Sequence, residues 1–351
     1  MKTRWRALCC AVLLAIGIAG CSAAAGTPTP APQPSALRQA LALVPTAHGQ
    51  IEFADMAAAK KRWGLSEVNS STLPTPEKNP DLWHRWFEKS TWSAAGSNLQ
   101  TYSGSMKDWG WNALDVDWEV RSYPKGPPVT VSKLRDDLDM KVVTDSLTAH
   151  KFTSSGSGDA LRFDRPIDRS DGVNIFLSGV TVVPSKHLLV GTAEKSWAAP
   201  TADSSVGSNA TVQALVAGLP AAVDYLSLGV GPNACISDLP RSMTPEQLAE
   251  TKRRLGTLRT IGGWAAAVTD DTHAVVRTQY ADPATATADL AQRQKLLQGK
   301  SLVAQAPYSG QFDATVSAES AMLRYDLTLK RGGRMVAQLV QLRDTPWAFC
   351  G

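Results

Sequence analysis

The chain has 351 residues, a length for one to three domains at about 100–200 residues each. Hydrophobic residues make up 43% and charged residues 19%, a balance that excludes both intrinsic disorder and a polytopic membrane protein. The formal charge is +4, but Lys2, Arg4 and Arg6 fall in the first twenty residues and the remainder carries +1; with no Lys/Arg cluster interleaved with aromatics, this excludes an electrostatic nucleic-acid binder.

The first predicted element is a targeting segment. Lys2, Arg4 and Arg6 form a basic opening, and Leu8 to Ile18 is an apolar run too short to span a bilayer as a helix of about 20 residues. It ends in Ile18-Ala19-Gly20-Cys21. These residues resemble the bacterial lipobox, in which small residues precede a Cys; the family prefers Leu where Ile18 stands. The resemblance implies a signal peptide over 1–20, cleavage after Gly20 and a diacylglycerol thioether on Cys21. It therefore implies a membrane partner, held through the lipid, and a place on the outer face of the cell membrane. Residues 21–36 carry Pro28, Pro30, Pro32 and Pro34 among small residues. Such a segment buries no apolar area and favours an extended conformation, so it reads as a tether.

The body follows as alternating strands and helices. The first region, 37–68, opens apolar and continues with a run, AAAKKRWGL, that suits a short helix. Asn79-Pro80 is a helix start, with Trp83, Trp86 and Phe87 at helical spacing. From Gly110 to Tyr123 the chain alternates: Leu114, Val116, Trp118 and Val120 point one way, and Asp115, Asp117, Glu119 and Arg121 the other. Val129 to Leu134 is the next strand, and Asp139 caps a helix whose apolar face is Met140, Val143 and Leu147. A strand at 160–163 and a hairpin of strands over 173–183 and 187–193, turning at Pro184-Ser185-Lys186, complete an N-terminal α+β region, 37–200.

Residues 200–209 read as a linker, and 210–351 as a second α+β region. It has a helix from Thr211, a strand over 225–230, and a capping-box helix from Thr244 that ends at Gly256. Strands over 264–268 and 273–280, a helix from Asp282-Pro283, and strands over 312–316, 322–329 and 335–342 follow. The fold class is thus α+β, with antiparallel or mixed sheets, helices packed on one face, and two halves of similar pattern.

Five cysteines are present: Cys9, Cys10, Cys21, Cys235 and Cys350. Two go with the signal and one takes the lipid. Outside the cytoplasm the remaining pair, Cys235 and Cys350, is expected to form a disulfide. Closing so long a loop contributes about 4–5 kcal/mol in the chain-entropy view.

Candidate chemistry is sparse. The stretch from Asn112 to Glu119, with Asp115, Asp117 and Glu119 at every second position, resembles the catalytic signature of family 18 chitinases. That resemblance implies Glu119 as general acid, Asp117 as its partner and Asp115 behind. Ala113 stands where the family has Gly, and the hairpins that follow do not suit the required (β/α)₈ barrel. The same alternation is what any one-sided strand needs. Six of the eleven tryptophans lie between 83 and 118; of these Trp109 and Trp111, flanking Gly110, are the candidates for stacking on a glycan. His48, His84, His150, His187 and His273 are scattered, so no metal site and no cofactor is expected.

With its Thr-Pro tether, the Asp-Val-Asp-Trp-Glu strand, the Asp139-Met140 helix start and the ending Trp347-Ala-Phe-Cys350, the chain resembles a family of actinomycete lipoproteins. The resemblance implies an envelope protein. The first functional expectation is a non-enzymatic binding or accessory protein, with a cell-wall glycan or an envelope protein as partner. The alternative is an envelope glycoside hydrolase using Asp117 and Glu119.

Overall fold

Alternation of apolar residues along short strands builds a single sheet from both halves of the chain. The computed structural model describes residues 35–351 apart from 46–49, 74–76, 124–127, 157, 167–172, 174–176, 178, 193–196, 237–243, 257 and 302–304. The signal segment, Cys21 and most of the tether lie outside the described residues. The strands are β1 (Gln50–Asp55), β2 (Val116–Tyr123), β3 (Val129–Leu134), β4 (Thr153–Ser155), β5 (Leu161–Asp164) and β6 (Gly179–Val183). They continue with β7 (Leu188–Thr192), β8 (Tyr225–Val230), β9 (Gly263–Val268), β10 (His273–Gln279), β11 (Phe312–Glu319) and β12 (Met322–Leu329). The helices are α1 (Ala36–Leu41), α2 (Met56–Arg62), α3 (Pro80–Trp92), α4 (Met140–Ala149), α5 (Ala210–Ala217), α6 (Pro245–Leu255), α7 (Pro283–Leu297) and α8 (Arg334–Gln341).

The twelve strands form one sheet in the order β11-β12-β10-β9-β8-β1-β2-β3-β7-β6-β5-β4. All neighbours are antiparallel. Each half is a three-stranded meander, then a helix, then a hairpin whose last strand returns beside the third. This gives β1-β2-β3-β7-β6 in the first half and β8-β9-β10-β12-β11 in the second; the N-terminal half adds the β4–β5 hairpin at its edge. The seam is the antiparallel pair β1–β8, with Glu52 opposite Ser227 and Ala54 opposite Tyr225. Residues 34–351 form one compact unit, because this ladder runs straight across the seam.

Burial follows the alternation. One face carries Ile51, Phe53, Trp118, Val120, Leu226, Leu228, Ala265 and Ala267, covered by α1 and α5 through Leu41, Val212 and Leu215. The other face is covered by the longer helices and holds two apolar clusters. The N-terminal one joins Trp111, Leu134, Val143, Leu147 and Val182; the C-terminal one joins Trp264, Val276, Tyr325, Val336, Leu339 and Trp347. Both are close-packed regions of the kind in which a large-to-small change costs several kcal/mol.

The helix starts follow their caps. Asn79 accepts from the Leu82 amide at 3.3 Å, Asp139 from Lys141 at 2.9 Å and Asp282 from Thr285 at 2.7 Å. Each satisfies an amide that has no partner within its helix. Gly256 takes a φ of +55° just past α6, as a left-handed C-terminal position favours. Cys235 and Cys350 are joined in a disulfide, 115 residues apart in sequence, beside a parallel bridge between Ile236 and Phe349.

Three local expectations are corrected. Residues 335–342 are not a strand: Met335, Val336, Leu339 and Val340 are buried together on one side of α8, a period of 3.6 rather than 2. The strand holding the acids begins only at Val116, because Ala113–Asp115 form a single 3-10 turn closed by a capping box between Asn112 and Asp115. An irregularity between Val116 and Trp118 then breaks the expected register, so Val116 and Trp118 belong to clusters on opposite faces.

Candidate functional site

The seam interrupts the apolar packing on the helix-covered face. Strand alternation brings Glu52 of β1, Glu119 and Arg121 of β2, and Tyr225 and Ser227 of β8 onto that face, between the two apolar clusters. Above them the C-terminal end of α3 and the segment after it face α8. They leave an open pocket of about 400 Å³ with Glu52, Arg121 and Tyr225 on its floor. Ser93, Gln100, Gln338 and Gln341 are among the residues of its walls. Arg334 stands at the rim and donates from Nη1 to the Thr91 carbonyl at 3.2 Å, tying α8 to α3 across the two halves. Gly332, with a φ of +71°, lets this turn approach α3: a Cβ there would meet the Trp92 carbonyl oxygen at 2.7 Å.

The floor is an ordered set of charges. Glu119 is fully buried. Its carboxylate accepts from Ser97 Oγ at 2.6 Å, the Asn98 amide at 3.0 Å and Ser132 Oγ at 2.9 Å. Arg121 donates to Asn98 Oδ1 at 2.8 Å and lies 3.5 Å from both Glu119 and Glu52. Among the described residues Glu52 has that one ion pair, and burial pushes its carboxyl above the usual range against the pull of Arg121 and a hydrogen bond from Tyr123. The Tyr225 hydroxyl lies beside Ser227 in the interior, and neither oxygen meets a protein group with full hydrogen-bond geometry. Burial pushes the Tyr225 hydroxyl up as well, so it stays a neutral donor and acceptor.

Two other sets of residues are already occupied. At the far end of β1, Asp224 pairs with Arg62, and Asp55 caps α2 by accepting from the Ala58 amide at 2.8 Å. Burial raises the Asp55 carboxyl to about 6. A larger cleft of about 570 Å³ opens between α7 and the edge strand β11; its charged residue, Asp313, is paired with Lys330 at 2.7 Å.

No protein-family model and no curated protein matches the chain. It is similar to the solved structure described as "Structure of crystal form I of TP0453", at 7% identity and a TM-score of 0.43, over 86% of this chain and 97% of that one.

The sequence candidates occupy separate places. Asp115 is fully buried, accepts from the Asn112 amide at 2.8 Å and pairs with Arg135 at 2.9 Å. Asp117 is partly buried, its carboxyl raised by burial and pulled down by Lys60 and Lys133. Glu119 is the floor acceptor described above, with no surface open to a substrate. A general acid must reach the atom it protonates, and the side chain of Glu119 is spent on its own protein. Asp115 and Glu119 are inward because the capping turn encloses the first and Ser97 and Asn98 close over the second, while Asp117 stays partly exposed.

Trp109 and Trp111 are likewise not exposed stacking platforms. Both are buried: Trp109 stacks on His150 with ring centroids 4.1 Å apart, and Trp111 donates from Nε1 to Ser146 Oγ at 2.8 Å. They anchor α4 to the sheet. Among the described residues the exposed tryptophan is Trp92, at 58%. Glu52, Tyr225 and Arg334 escaped the sequence reading. The available signal was Glu52 itself, a lone charge in the apolar run Ile51-Glu52-Phe53-Ala54, sharing its strand face with the apolar Ala54.

Proposed function

We propose that this is a lipid-anchored protein of the outer face of the cell membrane. Its folded body acts as a non-enzymatic binding module, with the seam pocket as its ligand site. The anchor rests on the lipobox at 18–21 and the proline tether after it; a lipid would supply the membrane affinity. Among the described residues no helix is long and apolar enough to cross a membrane. The disulfide is consistent with an oxidising compartment.

The binding reading rests on one observation above all: an open pocket whose floor is built from Glu52, Arg121 and Tyr225, with the Tyr225 hydroxyl buried beneath it beside Ser227. Buried polar groups are ordinarily bonded, and a concave site with a few convergent polar groups is the usual form of a ligand site. The ligand class expected here is a small envelope molecule or a fragment of a cell-wall glycan, held without turnover.

Two experiments test this. Labelling cells with radioactive palmitate should mark the wild-type chain and not Cys21→Ser; equal labelling of both would remove the anchor. Native mass spectrometry of the protein extracted from its own membrane should show a small bound species that is lost in Gln338→Trp. That substitution fills the pocket mouth from an exposed position on α8. A bound species retained in the variant would move the ligand site elsewhere. Glycan hydrolysis by the wild type that Glu119→Gln abolishes would replace the proposal with the hydrolase.

A further inference from the structure

The pocket floor has one negative charge too many. Glu119 and Arg121 neutralise each other within a shared hydrogen-bond set that includes Ser97, Asn98 and Ser132. Glu52, 4% exposed, leans on the same guanidinium at 3.5 Å, and Arg121 already has its Nη1 on Asn98 and its Nε facing Glu119. The groups close enough to act on the Glu52 charge are Arg121, Tyr123 and Glu119. Arg334, the cation at the rim, is exposed and held on the α3 carbonyl of Thr91. Tyr123 is a hydrogen-bonding neighbour of Glu52, but the one cation beside it is shared with Glu119; a desolvated carboxylate without a cation of its own is costly, and proteins keep such groups paired. Next to it lies the Tyr225 hydroxyl, buried and able to accept. The pocket wall above adds neutral amides, Gln100, Gln338 and Gln341, and no further charge close to Glu52.

We propose that the seam pocket takes its ligand through a positively charged nitrogen, an ammonium or guanidinium group, seated against the Glu52 carboxylate and the Tyr225 hydroxyl. The cation supplies the missing charge, donates to Glu52, and donates to Tyr225. The wall amides bond whatever polar body the ligand carries. A carboxylate or phosphate would meet the uncompensated Glu52 and be repelled. A neutral sugar would leave the charge imbalance in place. This inference rests on the seam pocket being the ligand site.

Isothermal titration calorimetry on the full chain in detergent micelles tests it, with three sets of probes. The cations are ethanolamine, putrescine and methylguanidine; the neutral probes are glucose and N-acetylglucosamine; the anions are acetate and phosphate. The expected result is saturable one-site binding of at least one cation. That binding should weaken at least tenfold in Glu52→Gln and severalfold in Tyr225→Phe, both checked for native circular dichroism. Tyr225→Phe keeps the ring that packs in the C-terminal cluster, so it serves even if Glu52→Gln folds poorly. Saturable binding of a sugar or an anion that the same variants weaken, with no response to the cations, overturns the ligand class and leaves the pocket standing. Cation binding that neither variant changes overturns the assignment to Glu52 and Tyr225. Silence from every probe overturns the cationic class as well, and the native mass spectrum of the Gln338→Trp variant then decides separately whether the pocket holds anything.

Discussion

The same three strands, β1, β2 and β8, present opposite chemistries on their two faces. Toward α1 and α5 they show Ile51, Phe53, Trp118, Val120, Leu226 and Leu228, an apolar surface across the seam interrupted by Ser122, which lies opposite Ile51. Toward α3 and α8 they show Glu52, Glu119, Arg121, Tyr225 and Ser227, with apolar clusters only to either side. The first face explains why the halves stay together. The second buries charge and leaves a hydroxyl unsatisfied, neither of which holds a sheet together as well as packed aliphatics would. The buried charge sits at the junction of two similar halves, on the floor of the proposed ligand pocket.

Substitutions can break or sharpen this contrast. The largest effects belong on the apolar face: Phe53→Ala should cost about 3–5 kcal/mol in denaturant unfolding, from lost burial and the cavity left behind. On the polar face, Arg121→Met should cost about 3 kcal/mol at neutral pH, because it strands Glu119 and Glu52 without their cation. That loss should shrink in acid, where the stranded carboxylates take up protons. An Arg121→Met variant as stable at neutral pH as the wild type would show that the floor charges are not buried as described.

Asp55 offers a smaller test, remote from the pocket. Its folded carboxyl titrates near 6 against an ordinary 3.8, so the folded chain holds this proton more tightly than the unfolded one. Stability from this group is therefore greatest in acid and declines as pH rises from about 4 through 6. Asp55→Asn keeps the cap on α2 and removes the titration. It should raise stability on the order of 1–2 kcal/mol at pH 7.5 and have little effect at pH 4. The smallest expected effect is that of Tyr225→Phe. Deleting a hydroxyl that lacks a satisfying partner should change stability by less than about 0.5 kcal/mol, or raise it slightly. A loss well above that in urea unfolding would mean the hydroxyl has a structural partner.

Much of the architecture was legible because its signals are local. Asn79, Asp139 and Asp282 cap the helices they were expected to start, and the strands at 225–230, 263–268 and 322–329 follow from apolar content and turn spacing. The two cysteines left over once the lipobox resemblance claims the other three are the ones joined, Cys235 to Cys350. The candidate site was not legible, for a physical reason. Alternation says which residues share a face but not whether that face is covered. Glu119 stands on the strand face that a one-sided sheet leaves to solvent, whereas here Ser97 and Asn98 close over it. The bulge after Val116 depends on tertiary packing in the same way, whereas the helix at 334–341 carries its own signal in Met335, Val336, Leu339 and Val340 at helical spacing. Glu52 and Tyr225 meet only because β1 and β8, some 170 residues apart, pair across the seam, and no local pattern carries that pairing.

The central claim is that the polar centre of the helix-covered face is kept for a ligand and not for the fold. The melting temperature of Glu52→Gln against pH tests it most directly. Burial raises the Glu52 carboxyl above its ordinary 4.5, so its charge weighs on the folded state increasingly as pH rises above that value. At about 2–4 °C per kcal/mol for a domain of this size, the variant should melt at or above the wild-type temperature at pH 7.5, and the two curves should converge toward pH 4. A variant that melts more than about 5 °C below the wild type at pH 7.5 would show that Glu52 holds the halves together, and would contradict the claim.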